Sequence, residues 1–383
     1  MNLRSRLASI ISGKQSGLPL IDIGTTSLTG IRNNVLPHKA KDKAAHPVYG
    51  TVPLEPLDCI RLGSDFVRSG LLFDFPAITD DSFIDAYGVK WIQDGSAFFP
   101  VNHPLETAAL SDIVRYPKIQ WHQKIQPIES NIANNYLIIA DAPCPGLLNL
   151  CFMLRSTWQF MEDIADNWQI ATALLEWSAE TIVDAYKYML SSLPYEPDII
   201  IYADDLGHQD GMFFSPMDFR KYIRPFMHSS LTRLRQLTSA AICFHSCGAI
   251  RPILKDVVEL GIKIFNLDTK AKGMSVQEIR QELPPHVVLH GSTDLCALGR
   301  SVANRDRAGI ARLITELAKS SPVIAAPLDN LLSTEEVLAT IYGAAFIRNL
   351  SDDDFEKIRN IGPVRSIIEE AIEKTLSKEL PAV

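Results

Sequence analysis

No stretch of this 383-residue sequence approaches the roughly 18–20 consecutive apolar residues needed to cross a bilayer, so no membrane-spanning helix is expected. Cysteine is scarce. Cys59, Cys144, Cys151, Cys243, Cys247 and Cys296 are scattered through a long chain with no C-x-x-C pair, which argues against a disulfide framework. A basic excess is also missing: 37 Lys and Arg face 45 Asp and Glu, for a net charge of −8. That balance argues against nucleic acid or an anionic membrane surface as the main partner. No G-x-G-x-x-G or Walker A sequence follows an apolar run, which withdraws the usual nucleotide-binding readings. Residues 1–17 carry Lys and Arg but no apolar core or small-residue cleavage site, so a secretory signal is not expected and a reducing, cytoplasmic setting is. What is present is an ordinary globular mix, 46% hydrophobic, 21% charged and 8% aromatic.

The first ~45 residues show weak periodicity and read as irregular. Short strand-like pieces follow at 71–75, 89–92 and 98–101, then a turn at Asn102-His103-Pro104 and a short helix at 107–114. From about residue 136 the pattern becomes strand then helix, repeatedly. Apolar runs at 136–140, 199–203, 240–244, 263–267, 287–289 and 323–326 alternate with helical spacing at 168–190, 216–237, 249–260, 276–283, 303–317 and 334–348. Ser215 with Pro216 reads as a helix start, and Ser333 with Glu336 as a capping box. Trp158, Trp168 and Trp177 are expected on core-facing helix surfaces, and Phe98, Phe99, Phe213, Phe214 and Phe219 in packing. Strands alternating with helices imply parallel pairing. Six units plus one or two early strands approach a (β/α)8 barrel, with a doubly wound open sheet as the competitor.

In parallel α/β folds the chemistry gathers at the carboxyl ends of the strands. Five consecutive apolar runs here end in ionisable or ligating residues: Asp204 and Asp205, His245 and Cys247, Asn266 and Asp268, His290 and Asp294, and Asp329. Helix caps account for one or two of these, but not for His245, Cys247 and His290. His245 and Cys247, two apart, would share a face of a strand, offering an imidazole nitrogen and a thiolate to zinc. Asp329, Asp205, Asp294 and Cys296 are candidates for a third ligand. The bland alternative is a His–Cys pair satisfied by main chain. Asp204 and Asp205 are adjacent, so one would face the mouth and the other a helix N-terminus or backbone donor. If both faced the mouth, like-charge repulsion would raise one carboxyl and suit a general acid. Arg61 and Arg68, flanking Gly63-Ser64-Asp65, are cations of the kind that grip a carboxylate.

These residues resemble the uroporphyrinogen decarboxylase superfamily, and within it the corrinoid-dependent methyltransferase branch. The resemblance rests on Tyr87-Gly88-Val89-Lys90-Trp91 with Asn102-His103-Pro104-Leu105, and on Asp204-Asp205-Leu206-Gly207-x-Gln209 with Ser215-Pro216. It continues through Phe244-His245-Ser246-Cys247-Gly248, Asn266-Leu267, Gly273-Met274 and Gly291-Ser292-Thr293-Asp294-Leu295. The opening Asp22-Ile23-Gly24-Thr25-Thr26 is similar to that branch as well. The resemblance implies a (β/α)8 barrel over residues 65–383 and an N-terminal extension, residues 1–64, covering it.

Two chemistries come with the superfamily: cofactor-free decarboxylation of porphyrinogen acetate arms, and methyl transfer between a corrinoid on a partner protein and a thiol or tetrahydrofolate. In the thiol branch an H-x-C pair and a distant Cys hold zinc. The Arg-rich R-Q-A-G-R-Y segment and the N-L-G-H-G turn of the decarboxylases are missing here. The matching late turn reads Ala326-Pro327-Leu328-Asp329-Asn330, with Asp329 roughly where the third thiolate belongs.

The resemblance therefore implies a methyltransferase moving a methyl group between a cobamide (cobalamin) on a corrinoid-carrying protein and a small acceptor. Asp204, Asp205, His245 and Cys247 would be catalytic. Gln209, Asn266, His290 and Asp294 would contact substrate, and His245, Cys247 and Asp329 would hold zinc. A decarboxylase acting on a small carboxylate, and a non-catalytic corrinoid- or pterin-binding protein, are the alternatives. A homodimer is common in the superfamily.

Overall fold

Runs such as Leu137-Ile138-Ile139 and Ile199-Ile200-Ile201 are apolar on both faces, which only a strand covered on both sides can bury. The computed structural model describes residues 2–15, 17–23, 31–32, 51–52, 55–71, 82–94, 97–122, 124–125, 127–142, 145–328, 331 and 333–377. It places eight strands in one parallel sheet. In chain order these are β1 (Leu20–Ile21), β2 (Phe66–Gly70), β3 (Leu137–Asp141), β4 (Ile199–Ala203), β5 (Ala241–Ser246), β6 (Ile264–Leu267), β7 (Val288–Asp294) and β8 (Val323–Ala326). From β2 to β8 each strand pairs with the next, and β1 returns to β8 with Leu20 opposite Ile324 and Ile21 opposite Ala325. Helices fill the crossovers, and the architecture is the expected (β/α)8 barrel.

Among the described residues no ladder joins β1 to β2. Asp65 holds that seam instead. Its N–H donates to the Ile21 carbonyl at 2.7 Å, and its carboxylate accepts the Ile21 N–H at 2.8 Å. Arg348, at the end of helix Thr334–Arg348, steadies the same carboxylate at 2.8 Å. The stretch 1–64 thus supplies a barrel strand.

Inward-facing residues alternate along every strand. Phe66, Ile139, Ile201, Cys243, Val288 and Ile324 form an apolar plug. Leu7 and Ile10 of helix α1 (Leu3–Ile11) join that plug. Two residues further along the strands, the same period brings polar groups inward: Asp22, Arg68, Asp141, His245, Asn266 and His290. A polar floor therefore lies on an apolar plug.

Several expectations change. The first 45 residues hold α1 and β1; β1 has two residues, too few for any periodicity to show. Residues 72–75 of the strand expected at 71–75 lie outside the described residues. The barrel strand described in this region is Phe66–Gly70, whose apolar run is broken by Arg68, facing the floor, and by Ser69 on the opposite face, at 2.8 Å from the Tyr195 hydroxyl. The pieces near 89–92 and 98–101 belong to a separate three-stranded antiparallel sheet, Ser82–Ile84, Lys90–Asp94 and Ala97–Asn102. Helix α2 (Leu147–Arg155) was not anticipated.

The helix expected at 216–237 is interrupted by a π-turn at Phe219–Ile223, just before Pro225. Proline has no N–H to offer the carbonyl four residues back, so the winding loosens there. Trp177 is buried as expected, but Trp158 is 72% and Trp168 39% exposed. Helix Thr157–Asp166 buries Phe160, Asp163 and Ile164, and Trp158 falls off that face.

Candidate functional site

The end of β4 divides two adjacent carboxylates. Asp204 turns away from the mouth and is 1% exposed. It accepts the N–H of Leu148 at 2.9 Å and of Asn149 at 3.2 Å, capping the N-terminus of α2. Burial pushes its carboxyl well above the usual range; the helix amides oppose that, and the neighbouring Asp205 charge adds to it. Its oxygens are turned to a helix N-terminus rather than to the mouth where a catalytic role was expected of it. Gly146 makes the approach feasible, since a Cβ there would lie 2.3 Å from the Ala203 carbonyl.

Asp205 faces the mouth. Asn149 grips it from both sides, accepting its N–H at 2.8 Å and donating to Oδ2 at 3.3 Å. Oδ1 accepts the Cys247 N–H at 2.7 Å. His245 sits on β5, and Cys247 lies just beyond its end, exposed. The Cys247 Sγ is 3.6 Å from His245 Nε2, and Asp205 Oδ1 is 4.0 Å from the same nitrogen. One ligand atom from each of the three lies within 4.8 Å of the others. Gly248, at φ +85°, lets the chain after β5 cross the chain after β4, because a Cβ there would meet Gly207 backbone at 2.3 Å.

The donor set of imidazole, thiol and carboxylate is that of zinc. Tetrahedral Zn–N and Zn–S bonds place nitrogen and sulfur about 3.6 Å apart, and His245 and Cys247 stand at that spacing. The Asp205 oxygen, 4.0 Å from His245 Nε2, stands further out than the roughly 3.3–3.4 Å that a shared tetrahedral ion would set, so the carboxylate must move inward to join them. Asp329 lies outside the described residues. Asp294 and Cys296 do not join the cluster. Asp294, of which a substrate contact was expected, caps the helix Leu295–Ala303, accepting the Cys296 N–H at 3.0 Å. The Cys296 thiol turns to the Glu336 carbonyl.

Behind His245 the floor is a continuous hydrogen-bonded chain. His245 Nδ1 meets Asn266 Oδ1 at 2.5 Å, and Asn266 Nδ2 meets His290 Nδ1 at 3.0 Å and donates to the His290 carbonyl at 3.1 Å. His290 Nε2 meets Asp22 Oδ2 at 2.8 Å, and Arg68 donates to that oxygen at 2.5 Å. His290, of which a substrate contact was expected, is buried with both ring nitrogens engaged within the protein. Arg68 likewise lies inside the barrel, while Arg61 stays exposed beside Asp58. Gln209 is exposed at the rim and donates to Asp268 at 2.6 Å, tying the segments after β4 and β6.

The sequence reading missed Asn149 and the part played by Asp22. Asn149 lies on a helix the sequence did not announce, and Asp22 follows a two-residue strand. The inward alternation of the polar floor was the signal that could have found Asp22.

The sequence of residues 112–327, more than half the chain, matches the uroporphyrinogen decarboxylase (URO-D) family profile. Among solved structures the fold is similar to a methyltransferase from Methanosarcina mazei, with a TM-score of 0.57 at 17% identity, covering 90% of this chain and 98% of that one. A comparison with curated proteins found no match.

Proposed function

The chain belongs to the uroporphyrinogen decarboxylase family, and we propose that within it this protein is a corrinoid-dependent methyltransferase with a zinc-activated acceptor site. The observation that carries the reading is the convergence of Asp205, His245 and Cys247 at the carboxyl ends of β4 and β5. His245 Nε2, Cys247 Sγ and an Asp205 oxygen would hold the ion, leaving a position for a small thiol. Zinc bound there would lower the thiol's pKa and deliver it as thiolate at neutral pH.

The chain's own residues do the rest. Asn149 fixes the Asp205 carboxylate, and the Cys247 amide donates to its Oδ1. The apolar plug beneath the polar floor keeps water from entering behind the cluster. The methyl donor is a methylcobamide presented over the mouth by a partner protein. Such a donor would supply an electrophilic methyl group and keep the pair of electrons of the bond it gives up; the part of this chain would be to hold the acceptor sulfur facing that methyl group. A carboxylate in place of a third thiolate is a harder, less electron-donating ligand. It leaves the zinc a stronger acid toward the incoming acceptor, and tetrahydrofolate is the alternative acceptor.

Purified protein, assayed for zinc and incubated with methylcobalamin plus a thiol or tetrahydrofolate, tests this reading. About one zinc per chain and methylated acceptor support it. Zinc-free active protein overturns the metal site, and turnover of porphyrinogens alone overturns the methyl transfer.

A further inference from the structure

We propose that Asn266 and His290, anchored by Asp22 and Arg68, are positioning residues that lock His245 in the tautomer carrying its hydrogen on Nδ1, so that the Nε2 lone pair faces Cys247 and Asp205. The direction of the chain follows from its fixed points. The His290 carbonyl, 3.1 Å from Asn266 Nδ2, can only accept, so that atom is the amide nitrogen and the oxygen faces His245. An oxygen 2.5 Å from His245 Nδ1 requires a hydrogen on that nitrogen.

The second Asn266 N–H goes to His290 Nδ1 at 3.0 Å, which places the His290 hydrogen on Nε2. There it donates to Asp22 Oδ2 at 2.8 Å, an oxygen that already accepts from Arg68. From His245 through Asn266 and His290 to Asp22, each donor meets an acceptor only in this arrangement. Reversing His245 would set two acceptors against each other at Asn266 and point a hydrogen into the cluster. The chain draws on β5, β6, β7, β2 and the residue after β1, and Asn266, His290 and Asp22 are 6%, 2% and 1% exposed. Water therefore has little room to substitute for a missing partner.

The metal consequence rests on the zinc reading above, but the tautomer does not, and the experiment separates them. Histidine-labelled, metal-free protein is examined by nitrogen-15 NMR for the protonated ring nitrogen of His245. The wild type is expected to show Nδ1–H. Asn266→Leu, which removes its three hydrogen bonds to His245 and His290, is expected to shift His245 toward Nε2–H, the tautomer free imidazoles prefer. Asn266→Asp keeps an acceptor for Nδ1–H and is expected to retain it.

Wild-type Nε2–H, or Asn266→Leu with Nδ1–H unchanged, overturns the proposal. If Asn266→Leu does not fold, the wild-type and Asn266→Asp spectra decide, and Nε2–H in either overturns it. Cobalt(II) titration of the same proteins supplies the second readout. Asn266→Leu is expected to weaken binding by roughly 10–100-fold, with Asn266→Asp restoring most of it. Wild type that binds no cobalt sinks the zinc reading and leaves the tautomer result to stand alone.

Discussion

The Nε2 of His245 and the Sγ of Cys247 stand 3.6 Å apart, on residues two apart in the chain. A strand end brings them together: His245 still pairs with Ala203 and Asn266 in the sheet, and Cys247 is the first residue past it. The pair therefore inherits the rigidity of the barrel while remaining open to the mouth.

Removing either member should abolish stoichiometric zinc. His245→Ala and Cys247→Ala are expected to purify with little zinc, and Asp205→Asn with less than wild type, by elemental analysis after dialysis against a weak chelator. Full zinc retention by Cys247→Ala would show that the thiol is not a ligand.

Thiol chemistry gives an independent check. Burial pushes the Cys59 thiol up to about 12 and Cys296 to about 11, and it raises Cys151 and Cys243 further still. Only the thiolate is nucleophilic, so at mildly alkaline pH an alkylating reagent should label Cys247 far ahead of those four. Added zinc should slow that labelling. Peptide mass spectrometry reads the result; equal labelling of Cys243 and Cys247 would contradict the burial argument.

Asn149 holds Asp205 through two hydrogen bonds. Outer-shell partners of this kind typically contribute 10–100-fold to metal affinity. Asn149→Ala is expected to lose affinity in that range with its fold intact by circular dichroism. Unchanged zinc and cobalt affinity would mean that Asp205 is held without it.

The Arg68–Asp22 pair is nearly dry, with side chains 8% and 2% exposed. Breaking a buried pair by removing one partner costs about 3–5 kcal/mol, because the other charge remains buried. Asp22→Ala should lower stability by about that amount in urea denaturation. Asp22→Ala combined with Arg68→Ala should cost less than the two single changes added together. Strict additivity would show that the two charges do not depend on each other.

Much of the fold was legible because buried parallel strands are short apolar runs: 199–203 and 323–326 coincide with β4 and β8. The capping box at Ser333 and Glu336 marked its helix to the residue. The early barrel was not legible for a physical reason. Its β2 must place Arg68 in the floor of the mouth, and that charge breaks the apolar run. In the site, adjacency and strand parity were enough to unite His245 with Cys247 and to separate Asp204 from Asp205. They could not say which carboxylate faced the mouth, because that depends on the helix N-terminus at Leu147, some 56 residues away. Nor does spacing reveal that Asn266 and His290 spend their hydrogen bonds on one another.

The order in which the chain is made adds a constraint of its own. Asp22 and His290 are separated by 268 positions, and among the described residues β1 finds its ladder partner in β8. A nascent chain that has emerged through β5 already contains His245 and Cys247, yet the carboxylate that anchors their supporting hydrogen-bond chain waits at the unpaired end of the sheet. Contacts this distant in sequence form late. The ring orientation of His245 therefore becomes fixed only once the barrel closes, and metal capture would follow closure rather than guide it.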